Sequence, residues 1–340
     1  MPQRCVLTLG NFDGPHVGHL AILRCARTLA DTHRARVVAL TFDPPPVQVL
    51  RPGQQPPALT PLAQRLERLR RGGADDVHVL TPTPELLARS PEQFIKQLVE
   101  RYHPIAIVEG PDFRFGKDRA GDMQTLADLG RSLDFEAVTV PRLETPLHDL
   151  TLAPVSSSLV RWLVGRGRVA DAARCLGEPF SLTAPIIRGE QRGRQLGIPT
   201  ANLDPDTLAP YILPADGVYA GTAELLSPAP DPSPDSSPEP ERSDPSPRFR
   251  PAAISIGIKP TFGQKTLTVE AHLLDYHPPD ADGLYGRTLT LRFARWVRDQ
   301  YPFPGVQTLR QQLHRDLQQT RRWHADGMLT PSVPPAPVKA

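Results

Sequence analysis

The stretch LGNFDGPHVGHL, residues 9–20, decides the fold class of this chain. It begins inside an apolar run, CVLTLGNF (5–12), which is typical of a buried strand. It runs into VGHLAILRCARTLADTH (17–33), where apolar residues recur at helical spacing. Gly10 and Gly14 permit a tight turn between the strand and the helix. This order predicts the start of an α/β sheet with parallel strands.

The alternation of strand and helix continues to about residue 140. The predicted strands are RVVALTF (36–42), VHVL (77–80), IAIVEG (105–110) and EAVTV (136–140), and the predicted helices include LAQRLERLRRGG (62–73) and PEQFIKQLVERY (91–102). Such alternation predicts a doubly wound, Rossmann-like sheet. Two short helices, SSLVRWLVGRG and VADAARCLG, come next. We therefore predict a first domain over residues 1–178.

The pattern changes after residue 178, where strand-like segments follow one another without helices between them. These segments are SLTAPIIRG (181–189), GVYAGTAEL (217–225), AAISIGI (252–258), LTVEAHLLDY (267–276) and LTLRFARWVR (289–298). They predict an antiparallel barrel or sandwich. One helix, TLRQQLHRDLQQTRRW (308–323), closes this second domain, which we place at residues 179–326.

A proline-rich segment interrupts the second domain. Eight of the 21 residues in SPAPDPSPDSSPEPERSDPSP (227–247) are proline, and none is an aliphatic residue larger than alanine. Such a segment cannot bury enough apolar surface to offset the entropy of ordering it. We predict a disordered insertion over residues 227–251, tolerated between two strands, and a disordered tail over residues 327–340.

The composition bounds the function. A net charge of +2 produces no strong electrostatic field of the kind that indicates a nucleic-acid partner. No apolar run approaches the roughly 20 residues that are needed to cross a bilayer. The three cysteines are odd in number and widely spaced, which favours a reducing compartment; they are Cys5, Cys25 and Cys175. We predict a cytoplasmic protein, a monomer or weak homo-oligomer, that binds small molecules and neither nucleic acid nor membrane.

His16 and His19 are the first candidate functional residues. They could be two ligands of a metal site, two phosphate-binding residues, or two histidines without a function at the start of a helix. Zinc would need further ligands, and the chain has no HExxH motif and no suitable cysteine spacing. The first turn of a helix offers unpaired amides and partial positive charge, which suit phosphate. We favour phosphate recognition.

The motif HxGH after a first strand resembles the signature of the nucleotidyltransferase superfamily. Class I aminoacyl-tRNA synthetases share it but also carry a KMSKS-type loop, which this chain lacks. The fuller string GNFDGPHVGH resembles the FMN adenylyltransferase half of the prokaryotic bifunctional riboflavin kinase/FAD synthetase family. Three further segments resemble the same family in order: TFDPPP (41–46), GPDFRFGKDRAGD (110–122) and VSSSLVR (155–161).

The resemblance implies the roles of the residues in this half. His16 and His19 would contact the ATP phosphates and stabilise the transition state. The adenine and phosphate pocket would comprise Gly10, Asn11, Phe12, Asp13 and Gly18. Phosphate would be held from the opposite side by Ser157, Ser158 and Arg161. Ser158 stands where threonine is usual in the family, and Leu159 stands where a basic residue is common. Arg161 would therefore contribute more of the phosphate binding than in other members.

The flavin-side loop is implied by the same resemblance. It would be formed by Asp112, Phe113 and Phe115. The alternative is a turn aspartate followed by two aromatic residues of the core.

The second half opens on RGEQRGRQLGIPTANL (188–203), which resembles the riboflavin kinase signature. The resemblance implies that Thr200 and Asn202 contact Mg²⁺ and the ATP phosphates, and a hydroxyl and an amide carbonyl are suitable oxygen ligands. The surrounding ATP-binding loop would contain Gly189, Gly193, Arg194, Gly197 and Pro199. Further kinase-like segments follow in family order, among them SIGIKPTFG (255–263) and VEAHLLDY (269–276).

Gln300 is the main departure from the family. The last strand of the family normally ends in a string like RxExxF, whose glutamate is taken as the base for the riboflavin 5′-hydroxyl; this chain has RDQYPF (298–303). A carboxamide cannot accept a proton at neutral pH. Asp299 could reach the hydroxyl, the kinase could run without a strong base, at a cost of about 10²–10⁴ in rate, or the domain could have become a flavin-binding module. We favour a slowed but active kinase.

The resemblance therefore implies an N-terminal α/β nucleotidyltransferase domain and a C-terminal antiparallel β-barrel of the riboflavin kinase type. The implied activity is synthesis of FMN from riboflavin and ATP, then of FAD from FMN and ATP with release of pyrophosphate. Both steps would use Mg²⁺ held largely by ATP. One alternative is an FAD synthetase whose kinase domain has lost activity. Another is a flavin-binding protein without turnover.

Overall fold

The computed structural model describes residues 4–189, 192–226, 249–258, 267–276 and 284–329. The chain divides into two compact units, Met1–Leu159 and Val160–Ala340, and each is described by itself. The division falls inside the helix Ser157–Gly165. The boundary predicted after residue 178 stays a prediction.

The first unit contains a five-stranded parallel sheet. Its strands are β1 (Cys5–Gly10), β2 (Arg36–Phe42), β3 (Asp76–Leu80), β4 (Pro104–Glu109) and β5 (Glu136–Thr139), and their order is β3-β2-β1-β4-β5. The predicted doubly wound sheet is confirmed. The strand order reverses between β1 and β4, and the carboxyl ends of those two strands form the crevice where such sheets bind ligands.

Helices cover both faces of this sheet. The helices up to residue 133 are α1 (Val17–His33), α2 (Pro46–Leu50), α3 (Leu62–Arg71), α4 (Pro84–Leu87), α5 (Pro91–Tyr102) and α6 (Met123–Leu133), and the two core clusters are formed with α1 and α3 on one face and with α4, α5 and α6 on the other. Neighbouring residues of β1 point to opposite faces, so Val6 packs in the core with α1 and Leu7 packs in the core with α5 and α6. A small hairpin, β6 (Glu144–Pro146) and β7 (Leu152–Pro154), precedes α7 (Ser157–Gly165) and α8 (Val169–Leu176).

The helix predicted over residues 91–102 is confirmed as α5, and Ser90 caps its start. The Ser90 hydroxyl accepts a hydrogen bond from Gln93 N, and the Gln93 side chain accepts one from Ser90 N, at 3.2 and 3.0 Å. This reciprocal pair is a capping box, which satisfies two amide donors that the first turn leaves without helical partners. Pro91 occupies the first helical position, where its missing N–H costs nothing.

The second unit is a closed six-stranded barrel. Its strands are β8 (Phe180–Ile187), β9 (Ala201–Leu203), β10 (Gly217–Leu226), β11 (Arg250–Ile258), β12 (Leu267–Leu273) and β13 (Thr288–Arg298), in the order β10-β11-β12-β9-β8-β13. Phe180, Tyr219 and Phe293 are the largest fully buried side chains of its core. The expected absence of helices between strands is wrong: α9 (Arg192–Gln195) and α10 (Pro205–Leu208) are single turns there. The predicted closing helix is confirmed as α11 (Val306–Ala325).

Two predicted disordered segments extend too far. Residues 227–248 of the predicted insertion lie outside the described residues, but β11 already begins at Arg250, which pairs with Ala223 of β10. In the predicted tail, residues 330–340 lie outside the described residues, whereas Leu329 is buried beside Ala220 and Ala294. Strand pairing and apolar burial order these positions, and local composition does not reveal either.

Within the described ranges, every helix is too short or too polar to cross a bilayer.

Candidate active sites

The HxGH turn lies at the carboxyl end of β1 and forms the start of α1. His16 is the residue before the first turn of α1, and its Nδ1 accepts a hydrogen bond from His19 N at 3.4 Å. In return, His19 Nδ1 accepts a hydrogen bond from His16 N, also at 3.4 Å. The two imidazole rings stack with their centroids 3.7 Å apart and their planes 17° apart. The pair forms a capping box made entirely of histidine side chains.

These hydrogen bonds assign the tautomer of both histidines. Each Nδ1 accepts a hydrogen bond, so the neutral ring carries its proton on Nε2. Burial, followed by the charge of Arg68, lowers the pKa of His16 to about 4. Burial, followed by His16 and then Arg68, lowers the pKa of His19 well below its ordinary value. At neutral pH both rings are therefore uncharged Nε2–H donors, and neither Nε2 has a hydrogen-bond partner among the described residues.

Two glycines permit this arrangement. Gly14 has φ of +56°, and a Cβ atom there would lie 2.7 Å from the side chain of Leu59. A Cβ atom on Gly18 would lie 3.1 Å from the imidazole ring of His16. The glycine of HxGH thus leaves room for the ring that caps the helix.

Asn11 and Asp13 hold the turn through their backbone and side chain. The carbonyl of Asn11 accepts hydrogen bonds from the Thr41 hydroxyl, at 3.1 Å, and from Arg65 Nη1, at 2.9 Å. The Asp13 carboxylate accepts the amide of Leu59 at 2.9 Å. Asp13 therefore anchors the segment before α3 to the turn. Phe12 lies between them with φ of +46°, is 2 % exposed, and packs edge-on against His19 at a centroid distance of 5.1 Å.

The serine-rich element starts α7. Ser156 Oγ accepts the amide of Leu159 at 3.1 Å, as a helix cap does. Ser157 Oγ donates to the carbonyl of Asp13 at 2.7 Å, which ties the start of α7 to the HxGH turn. Ser158 is exposed on the first turn, and Arg161 follows three residues later on the same helix. Their predicted contacts with phosphate stay predictions.

The predicted flavin-side loop follows β4. Asp112 is exposed and forms an ion pair with Arg142. Phe113 is half-buried and stacks on Phe115 with centroids 5.2 Å apart, whereas Phe115 is buried in the core. Only Phe113 of the two rings therefore offers surface to a ligand in this conformation, and the assignment of the loop to flavin stays a prediction.

In the second unit, three oxygen-bearing side chains lie on the outward face of the barrel. Glu270 on β12 pairs directly with Asn202 on β9, and residues opposite each other in an antiparallel pair share a face. The flanking residues Ala201 and Ala271 are buried in the core. Thr200 Oγ1 donates to Glu270 Oε2 at 3.4 Å. A hydroxyl, an amide carbonyl and a carboxylate thus lie together.

The glycine-rich loop shapes this group. A Cβ atom on Gly189 would lie 2.5 Å from the Asn202 carboxamide, so Gly189 admits that side chain. Gly193 packs on the carbonyl of Ile198, where a Cβ atom would lie 2.3 Å away, and Gly197 has φ of +75°. Pro199 presents its carbonyl to His272 Nδ1 at 2.7 Å. Arg194 is exposed.

Gln300 lies two residues past Arg298, the last residue of β13, with its carboxamide against β11. Its Nε2 donates to Ser255 Oγ and to the carbonyl of Ile256, both at 3.0 Å. The carboxamide covers Gly257, where a Cβ atom would lie 2.3 Å from it. Ser255 in turn pairs with Glu270 across β11 and β12. The side-chain amide of Gln300 therefore donates two hydrogen bonds that a carboxylate, which has no N–H or O–H group, could not donate.

Glu270, Arg65 and Arg68 are site residues that the sequence motifs do not identify. Glu270 stands in the segment VEAHLLDY, but its place opposite Asn202 depends on a strand pairing between residues 68 positions apart. Arg65 and Arg68 are buried and face the HxGH turn from α3. Their three-residue spacing on one face of a predicted helix was the available signal.

Comparison with known proteins agrees with both halves. The model of the FAD synthetase family matches residues 1–151, and the model of the riboflavin kinase family matches residues 176–324. Bifunctional riboflavin kinase/FMN adenylyltransferases are similar over most of the chain. The protein of Listeria monocytogenes is 30% identical over 94% of this chain and 92% of its own length. That of Escherichia coli K12 is 30% identical over 93% of this chain and 91% of its own length.

A solved structure is similar over the whole length. It is described as a macrolide-efflux protein from Streptococcus pneumoniae, and it has a TM-score of 0.78, 27% identity and 95% coverage of both chains.

A parallel sheet with an HxGH turn, followed by a six-stranded barrel with a PTAN loop, defines a fusion of an FAD synthetase domain with a riboflavin kinase domain. The chain belongs to the family of bifunctional riboflavin kinase/FMN adenylyltransferases.

Proposed function

We propose that the chain phosphorylates riboflavin to FMN in its second unit and adenylylates FMN to FAD in its first. The observation that carries the proposal is the pair of neutral, stacked histidines at the HxGH turn, at the ligand-binding end of the sheet. The oxygen-bearing group at Thr200, Asn202 and Glu270 carries the kinase half.

In the adenylyl transfer, an oxygen of the FMN phosphate attacks the α-phosphorus of ATP, and pyrophosphate leaves. Such a reaction requires little covalent chemistry from the protein, so positioning and charge stabilisation dominate. The Nε2–H groups of His16 and His19 donate hydrogen bonds to phosphate oxygens, and they do so without a titrating charge near pH 7. Arg65 and Arg68 supply buried positive charge beside them.

In the kinase step, the riboflavin 5′-hydroxyl attacks the γ-phosphorus of ATP, and ADP leaves. Glu270 accepts the hydroxyl proton, which makes Glu270 rather than Gln300 the base. Asn202 Nδ2 donates to the Thr200 carbonyl at 3.5 Å, which leaves Asn202 Oδ1 available to a cation beside Thr200 Oγ1. These hard oxygen donors fit Mg²⁺, which would neutralise the charge on the transferred phosphate.

We also propose a cytoplasmic location, which the cysteine pattern supports, and a monomeric or weakly homo-oligomeric state.

The proposal is tested by incubating the purified chain with ATP and Mg²⁺ and either riboflavin or FMN. We expect FMN and FAD from riboflavin, and FAD with pyrophosphate from FMN. FAD from FMN without FMN from riboflavin would leave a monofunctional FAD synthetase. No FAD from FMN would overturn the adenylyltransferase assignment.

A further inference from the structure

Glu109 is a buried carboxyl group that neither reaction above uses. It is the last residue of β4 and is 4 % exposed. Its Oε1 accepts hydrogen bonds from the Thr8 hydroxyl, at 3.1 Å, and from the amide of Leu9, at 2.6 Å. The backbone pairing of β1 with β4 ends at Leu7 and Ile107. Beyond it, the amide of Leu9 donates to the Glu109 side chain instead of to a backbone carbonyl of β4.

The second oxygen of this carboxyl group is uncommitted. Oε2 of Glu109 has no hydrogen-bond partner among the described residues. It is also absent from the unpaired side-chain atoms that are completely shielded from solvent, so it keeps some accessible surface. The carboxyl ends of β1 and β4 flank the crevice where this sheet changes direction, beside the HxGH turn. The Glu109 carboxyl group therefore lies at the expected nucleotide site, with one oxygen that has no partner among the described residues.

We propose that Glu109 forms a hydrogen-bonding subsite for ATP in the first unit, donating from the protonated Oε2 to an oxygen of the bound nucleotide. The inference rests on the adenylyltransferase function proposed above. Oε1 already accepts two hydrogen bonds, so the proton of the neutral acid resides on Oε2. The ionised group would instead place a negative charge beside the phosphates of ATP.

The neutral acid is the form present near pH 7. Burial raises the pKa of Glu109 to about 8, against the opposing effect of the hydrogen bonds from Leu9 and Thr8. No charged side chain contributes to this shift. Cys5 and the histidine pair keep their charge states between pH 7 and 9. The pKa of Cys5 on β1 is raised to about 12, and the histidines of α1 that face the crevice are neutral throughout.

The test compares wild type with Glu109→Gln in the conversion of FMN to FAD between pH 7 and 9. Glutamine keeps an acceptor for Thr8 and Leu9 and offers an amide donor without a titration. We expect kcat/KM for ATP to fall about tenfold in wild type from pH 7 to 9, mainly through KM, and to stay level in the variant. FMN formation from riboflavin is the internal control, because it uses ATP in the other unit, and its profile should be the same in both proteins.

A second variant moves the same transition. Thr8→Val removes the hydrogen bond that stabilises the carboxylate, so the fall should shift to higher pH. A constant ratio of wild type to Glu109→Gln across the pH range would overturn the subsite while leaving the adenylyltransferase function intact. No FAD from FMN at any pH would overturn both.

Discussion

The histidine pair makes a specific prediction about acid stability. In the folded protein His16 has a pKa of about 4, whereas in the unfolded chain it has its ordinary value near 6.5. Between these values only the unfolded chain binds the proton, so the free energy of unfolding falls as the pH falls from 6.5 to 4. The full loss from His16 is on the order of 3 kcal/mol.

Asparagine at position 16 provides the matched variant. His16→Asn keeps a good helix cap and removes the titrating ring. Urea unfolding at pH 7 and pH 4 should show a smaller acid loss in the variant than in wild type. Equal losses would mean that the buried ring does not set the acid stability.

For Gln300, the sequence and the structure lead to opposite expectations about the effect of restoring a glutamate. From sequence, its position suggests a missing base, and Gln300→Glu would then raise the rate of FMN formation. From structure, its amide donates to the carbonyl of Ile256, which a carboxylate would repel. We expect Gln300→Glu to give no gain in kcat and to lower the free energy of unfolding by about 1–3 kcal/mol.

Gln300→Ala is the control for this substitution, since it removes both hydrogen bonds without adding charge. It should be destabilised less than Gln300→Glu. A tenfold rise in kcat for Gln300→Glu would restore the view that a carboxylate is missing at this position.

A buried ion pair joins the closing helix α11 to the barrel. Arg298 on β13 donates from Nη2 and Nε to the carboxylate of Asp316, at 2.7 and 3.0 Å, and Asp316 is 3 % exposed. Gln312 Nε2 also donates to this carboxylate at 2.9 Å. Asp316→Asn leaves the guanidinium without its counter-charge, and we expect a loss of about 3 kcal/mol in the free energy of unfolding.

The exposed pair of Arg321 and Asp275 is the comparison for that substitution. Both of its side chains are at least half exposed, so Asp275→Asn should cost less than about 1 kcal/mol. Similar losses for the two variants in urea unfolding would show that Asp316 does not anchor the helix.

Elements with strong local signals could be predicted from sequence. The apolar periodicity of α1 gives its observed bounds, and the helix predicted over residues 91–102 matches α5. Elements that depend on distant partners could not. β9 has three residues and exists through its pairing with β8 and β12, and β11 starts at Arg250 because β10 extends opposite it.

The candidate sites follow the same division. The HxGH and PTAN motifs are local in sequence and identify where to look. The reciprocal hydrogen bonds of the two histidines, the position of Glu270 opposite Asn202 and the free oxygen of Glu109 arise only when the chain is folded. Sequence thus gives the residue types at each site, and the strand pairings determine which of them meet.

If each unit catalyses one of the two reactions, a single substitution in either unit should abolish one activity and spare the other. His19→Ala and Glu270→Gln are each assayed with riboflavin and with FMN, with circular dichroism to show that each variant is folded. We expect His19→Ala to convert riboflavin to FMN and form no FAD. We expect Glu270→Gln to form little or no FMN from riboflavin yet convert supplied FMN to FAD at the wild-type rate. Loss of both activities in either folded variant would show that the two reactions are not carried out in separate units.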